Sequence, residues 1–286
     1  MLQHIQQVII QGSNSRLMST DLTYLKNNVR KPVIIYIHGF NGFKDWGNFN
    51  LIATKFAEEG YFFIKSNLSH NGTSPEHEEE FVDLEAYGQN NYSKEIFDTV
   101  QLINWVKNQA SVYSNDIDDQ KIILLGHSRG GGIAILAASQ NPDVKALITW
   151  ASVAACKTPW GNWSESKIKQ WQIKGVEYYA NKRTNQAMPL YYQLYQDYES
   201  NSQKLNIEQA ISNLHIPVQI CHGTKDEAVP VEQASLLHRS QASSELYLLD
   251  SNHVFGRSHP WTSDTLPEAT LEVIRANIQF LKKNNF

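Results

Sequence analysis

The sequence predicts an α/β fold: a mostly parallel, twisted sheet with helices on both faces and a helical cap inserted late in the chain. Three observations carry that expectation. Strand-like and helix-like segments alternate along most of the 286 residues, the arrangement that builds a parallel sheet through crossover helices. Several strand-like runs are continuously apolar and β-branched, as in a strand covered on both faces. One stretch of about 65 residues, between Trp150 and Pro217, breaks the alternation and exceeds what a single crossover needs.

Gln6–Gln11 and Arg16–Leu25 read as an opening antiparallel pair. Pro32–Ile37 (PVIIYI) is the first strand expected to be buried on both faces. Phe49, Ile52, Ala53 and Phe56 then recur at helical spacing, with Gly60 as a C-terminal stop. Tyr61–Ile64 is the next strand, and the helix at 92–108 puts Ile96, Val100, Ile103 and Val106 on one face. Strand 121–125 and helix 130–139 follow, then strands Ala146–Trp150 and Pro217–Cys221. Helix 231–240, strand Glu245–Leu249 and a final helix with a Leu271, Ile274, Ile278, Leu281 stripe complete the pattern.

The expected organisation is a core of residues 1–152 and 213–286 with a cap insertion at 153–212. The cap is rich in aromatics: Trp160, Trp163, Trp171, Tyr178, Tyr179, Tyr191, Tyr192, Tyr195 and Tyr198. Most should form the cap's own small core. Trp160 and Trp163, nearest the strand ending at Trp150, are candidates for lining an acyl or aryl pocket.

Composition narrows the function classes. A net charge of −4 and a pI of about 6.2, with no Lys/Arg run, leave no electrostatic footprint for nucleic acid. The first residues lack a basic segment followed by a long apolar one, and no apolar run reaches membrane-spanning length, so a cytoplasmic protein with no membrane partner is expected. Cys156 and Cys221 are too few for a disulfide framework and lack metal-ligand spacing. The run Glu76-His77-Glu78-Glu79-Glu80 reads as a solvated loop.

The chemistry is carried by Gly126-His127-Ser128-Arg129-Gly130, a G-x-S-x-G turn between a strand and a helix. Such a turn is too tight for flanking side chains and holds its serine in a strained conformation with the hydroxyl exposed. A serine alcohol is a poor nucleophile at neutral pH, so it needs a base, and the base needs an orienting acid. Asp226 lies just past the strand Pro217–Cys221, and His253 just past Glu245–Leu249, in the order serine, acid, histidine. Asp250, Glu227 and His259 are weaker rivals by position. The Arg129 side chain either recognises a substrate carboxylate or pairs with a loop acid such as Asp83 or Glu85; burial of an arginine favours the pair.

Together HGF (38–40), NLSHNGTS (67–74), GHSRGG (126–131), HGTKDEAVP (222–230) and NHVFG (252–256) resemble the α/β-hydrolase superfamily. Within it the similarity is to dienelactone-hydrolase-like serine hydrolases related to the catalytic domains of acyl-aminoacyl and prolyl peptidases. The resemblance implies a Ser128–Asp226–His253 triad, needing no cofactor and no metal, and an oxyanion hole from the backbone N–H groups of Phe40 and Arg129. Many relatives carry D-x-R-G-x-G-x-S where this chain has Ser66-Asn67-Leu68-Ser69-His70-Asn71-Gly72-Thr73-Ser74. Dienelactone hydrolase itself uses a cysteine nucleophile, whereas Ser128 points to ester or amide chemistry. The implied function is a carboxylesterase acting on a small-molecule ester with an aryl or apolar acyl group. The alternatives are a peptidase or amidase of the same fold, or a non-catalytic ligand-binding homologue.

Overall fold

The computed structural model describes residues 1–181 and 183–286. Strands β1 (Leu2–Gln11), β2 (Leu17–Leu25) and β3 (Lys31–Ile37) lead into α1 (Phe49–Glu58), β4 (Phe62–Ser66), α2 (Leu84–Gly88) and α3 (Tyr92–Asn108). Then come β5 (Ile117–His127), α4 (Arg129–Gln140) and β6 (Val144–Trp150). The stretch before the next sheet strand holds α5 (Glu165–Lys174), β7 (Val176–Asn181), β8 (Gln186–Tyr191), α6 (Gln193–Ser200) and α7 (Ile207–Ser212). The chain closes with β9 (Val218–Gly223), α8 (Glu232–Ser240), β10 (Glu245–Leu249) and α9 (Glu268–Lys283).

Eight strands form one sheet in the order β1-β2-β4-β3-β5-β6-β9-β10. Pairings β1/β2 and β2/β4 are antiparallel and the others parallel. The central strands show why they read as unbroken apolar runs. Successive side chains point to opposite faces, and both faces are covered: Val33, Ile35 and Ile37 of β3 enter one core, Ile34 and Tyr36 the other. The first core is closed by α3, α4 and α8, the second by Phe49, Ile52 and Phe56 of α1 and Val273, Ile274 and Leu281 of α9. Asn48 caps α1 by accepting from the Leu51 amide, and Asn91 caps α3 by accepting from Lys94. Among the described residues no helix is long and apolar enough to cross a membrane.

The insertion carries the expected helices and also a hairpin, β7/β8, that the sequence reading did not foresee. Pro189 sits inside β8, where proline ordinarily argues against a strand. The hairpin tolerates it as a separate two-stranded ribbon. Trp171 is fully buried and donates its indole N–H to the Leu190 carbonyl at 2.7 Å. Trp160, Trp163 and Tyr192 pack around it with ring centroids 5.3–6.1 Å away.

A buried charge network ties the loop after β3 to the sheet. Lys44 contacts Asp21 at 2.6 Å and Asp45 at 2.5 Å, while Lys65 contacts Asp21 at 2.6 Å and also pairs with Asp45. Glu78 joins at 3.1 Å from Lys44. The acidic run 76–80 is therefore not a wholly solvated loop, because one of its carboxylates compensates a buried ammonium. Breaking such a network leaves uncompensated buried charge. Lys65→Met is expected to lower the free energy of unfolding by about 3–5 kcal/mol in urea titrations; a change within error would show that the network contributes little.

Candidate active site

The turn from β5 into α4 places Ser128 at φ 58° and ψ −123°. A non-glycine residue with positive φ costs about 1–3 kcal/mol and persists only where its surroundings enforce it. Here they do. The Ser128 amide donates to the Trp150 carbonyl at 2.8 Å, and the Ser128 carbonyl accepts from Gly131 at 2.9 Å and Val153 at 3.3 Å. The flanking glycines are required by space: a Cβ on Gly126 would lie 2.2 Å from the Gly130 carbonyl oxygen, and one on Gly130 2.3 Å from that of Ile37. Helix α4 begins at Arg129, so its positive end faces the serine and favours negative charge there.

Asp226 and His253 meet as the loop positions require. His253 Nδ1 donates to Asp226 Oδ2 at 2.7 Å. The same oxygen faces His222 Nε2 at 3.2 Å, and Oδ1 accepts from the Ala228 and Val229 amides at 2.9 and 2.8 Å. Burial alone would raise the Asp226 carboxyl, but the hydrogen bonds from His222 and His253, the charge of His253 and the Val229 amide outweigh it. They hold the group well below the usual carboxylate range. The two rival carboxylates are engaged elsewhere or open to solvent. Asp250 pairs with Lys225 at 2.7 Å on the surface, and Glu227 is exposed.

Two further histidines are held by hydrogen bonds to the backbone. His127 Nε2 donates to the His253 carbonyl at 2.9 Å, and burial holds it neutral, with help from the charges of His253 and Arg257. His38 Nδ1 donates to the Gly39 carbonyl at 3.0 Å while Nε2 accepts from the Leu68 amide at 3.3 Å, which pins the loop after β3. That loop lies against the serine: a Cβ on Gly39 would stand 3.0 Å from Ser128 Cβ. Among the described residues neither the Phe40 nor the Arg129 amide donates a hydrogen bond within the chain.

Ser128, His253 and Phe40 line one cavity of about 510 Å³. The hairpin supplies Tyr179, Asn181 and Arg183 to its wall, and the loops supply Trp46, Thr158 and His259. Trp160 and Trp163 do not line it. The chain turns inward after Thr158, so Trp160 is 4% exposed against Tyr92 and Trp171, and Trp163 packs on Trp171 under Lys167. Tyr179 takes the aromatic position the sequence assigned to the tryptophans, and only knowledge of the hairpin could have selected it.

The Arg129 guanidinium pairs with neither Asp83 nor Glu85. Asp83 is bound to Arg16, and Glu85 accepts from Tyr191. Its partner is Glu95 of α3, with Nε 2.8 Å from Oε2; NH1 donates to the Thr158 carbonyl at 3.0 Å, and the group lies 3.9 Å over the Tyr92 ring. The sequence required a partner for a buried arginine but held no signal selecting Glu95 among the carboxylates.

The sheet order, the serine turn and the two loop residues at the following strand ends define an α/β hydrolase. The chain belongs to the BD-FAE family, whose model matches residues 21–240. An uncharacterized 31.7 kDa protein of the traX-finO intergenic region of Escherichia coli is 29% identical over 129 residues, 45% of this chain and 40% of that protein. The match thus spans well under half of that relative's length. Among solved structures, Est1E from Butyrivibrio proteoclasticus with ferulic acid bound is 20% identical, with 96% of this chain and 98% of that one covered at a TM-score of 0.72. The α/β hydrolase GrgF from Penicillium sp. sh18 is 18% identical, with 99% of each chain covered at a TM-score of 0.73.

The buried histidines give the protein a definite acid response. Burial, aided by the charges of Lys94 and Arg16, lowers His70 to about 4, and burial also lowers His38, His127 and His259. A histidine depressed below its unfolded value of about 6.5 contributes stability above that pH and loses it as pH falls. Asp226 acts with the same sign at lower pH. Asp98, raised to about 6 by burial, opposes them by gaining stability as pH falls. Glu79, raised by burial, opposes them as well; with four groups against two, the urea midpoint should fall between pH 7 and pH 5, and His70→Gln should flatten the slope. A flat or rising midpoint would contradict this assignment.

Proposed function

We propose that this protein is a serine hydrolase that cleaves carboxylic esters through an acyl-enzyme, with Ser128, His253 and Asp226 as its triad. The observation that carries this reading is the 2.7 Å bond from His253 Nδ1 to the buried Asp226 carboxylate, made beside the cavity that Ser128 and His253 both line. Asp226 fixes the imidazole tautomer, leaving Nε2 to take the Ser128 proton as Oγ attacks the ester carbonyl. The charge passes to the carbonyl oxygen, where the Phe40 and Arg129 amides donate to it and the α4 terminus adds a favourable field. The tetrahedral adduct collapses as His253 returns the proton to the leaving alcohol. Water then attacks the acyl-enzyme, again losing its proton to His253, and Ser128 leaves with that proton.

Residues 1–152 and 213–286 form the core that carries this machinery, and 153–212 act as its cap through Val153, Thr158, Tyr179, Asn181 and Arg183. Phe40, Tyr179 and Trp46 in the wall favour an aryl or apolar acyl group. The ferulic acid held by the structural neighbour Est1E supports the same class.

Ser128→Ala should lower hydrolysis of short 4-nitrophenyl esters by at least about 10³-fold with an unchanged melting temperature. Near-normal turnover in that variant would sink the proposal. Asp226→Asn should lower kcat on the order of 10³–10⁴-fold with a smaller effect on KM, since it disturbs the tautomer rather than substrate binding; a KM effect alone would assign Asp226 a purely structural role.

A further inference from the structure

We propose that Arg183 forms a carboxylate-binding subsite of this cavity, so that the esters the protein prefers carry a second, anionic carboxylate. The inference rests on the esterase reading and names its substrate class. Strand periodicity places Tyr179 and Asn181 on one face of β7, and Arg183 continues that row into the hairpin turn, so all three reach the cavity. Arg183 is the single lysine or arginine among the described lining residues, and no aspartate or glutamate lines the cavity with it.

The side chain is held in place but not neutralised. Its guanidinium lies 5.4 Å from the Phe43 ring centroid and 5.8 Å from that of Phe81. A cation held within cation–π range of two rings keeps its N–H groups available for a two-oxygen anion. Among the described residues no carboxylate lies within salt-bridge distance of it. Glu79 approaches another residue of the cavity wall, His259, with its carboxylate 3.9 Å from Nε2. Arg183 is also exposed, so its strength is moderated by solvent.

The test compares 4-nitrophenyl monoesters of adipic and suberic acids with their methyl-capped, neutral counterparts. Wild-type protein should favour the charged member of at least one pair, and raising the salt concentration should shrink that preference. Arg183→Met should lower the charged-to-neutral ratio of kcat/KM about tenfold, and Arg183→Lys, which keeps the charge without the fork, should fall between. Equal ratios in wild type and Arg183→Met, with neutral esters turned over normally, would overturn the subsite and leave the esterase reading standing. If no ester is hydrolysed, the esterase reading fails, and calorimetric titration with suberate decides the subsite. Binding by wild type that Arg183→Met loses supports it; equal or absent binding overturns it.

Discussion

At Gly126 and Gly130 the backbones of β5, β3 and α4 approach so closely that a methyl group on either residue would stand 2.2–2.3 Å from a carbonyl oxygen. That contact forces the chain to turn within a few residues, and the turn is what drives Ser128 into a positive-φ conformation. The surrounding hydrogen bonds to Trp150, Gly131 and Val153 hold the strain in place. Removing the close approach would let the turn relax, and with it would go the exposed hydroxyl, the alignment of α4 behind it and the proximity of the loop carrying Phe40. The strain is local, and a sheet buried on both faces sustains it.

Around that turn the protein handles buried charge in two ways. The two buried charges nearest the turn are met by partners: Arg129 pairs with Glu95 and donates to the Thr158 carbonyl, while its NH2 finds no acceptor among the described residues, and Asp226 is met by two histidines and two amides. The rings of His38 and His127, bonded to backbone groups, are instead lowered by burial, which favours their neutral forms. Arg129 has a second consequence. One guanidinium joins the first residue of α4 to Glu95 of α3 and to the Thr158 carbonyl in the stretch after β6.

How much was legible in the sequence differed by element. The central strands were readable because a strand buried on both faces must be apolar at every position, a pattern that survives any tertiary arrangement. The positions of Asp226 and His253 were readable because each lies within a few residues of a strand end, and parallel strands deliver their carboxyl ends to one edge of the sheet. The cap was less legible. Its tryptophans and tyrosines announce a small core, but the same density suits a helix or a hairpin, and Pro189 conceals β8. Sequence proximity to β6 suggested Trp160 and Trp163 for the pocket, yet Trp160 packs against Tyr92 and Trp171, Trp163 packs against Trp171, and β7 presents Tyr179 to the cavity.

The sequence by itself determined the layered α/β architecture, the serine turn and the order of the residues that follow it, because these depend on periodicity and on backbone sterics acting over a few residues. Only the tertiary structure decided the partner of Arg129, the membership of Glu78 in a buried charge network and the cavity wall of Tyr179, Asn181 and Arg183. Those outcomes depend on which distant segments meet, and a charge or ring gives no local sign of what it will face. The turn around Ser128 reads directly from the chain because its cause is local; the surroundings that shape its chemistry are set by contacts between segments tens of residues apart.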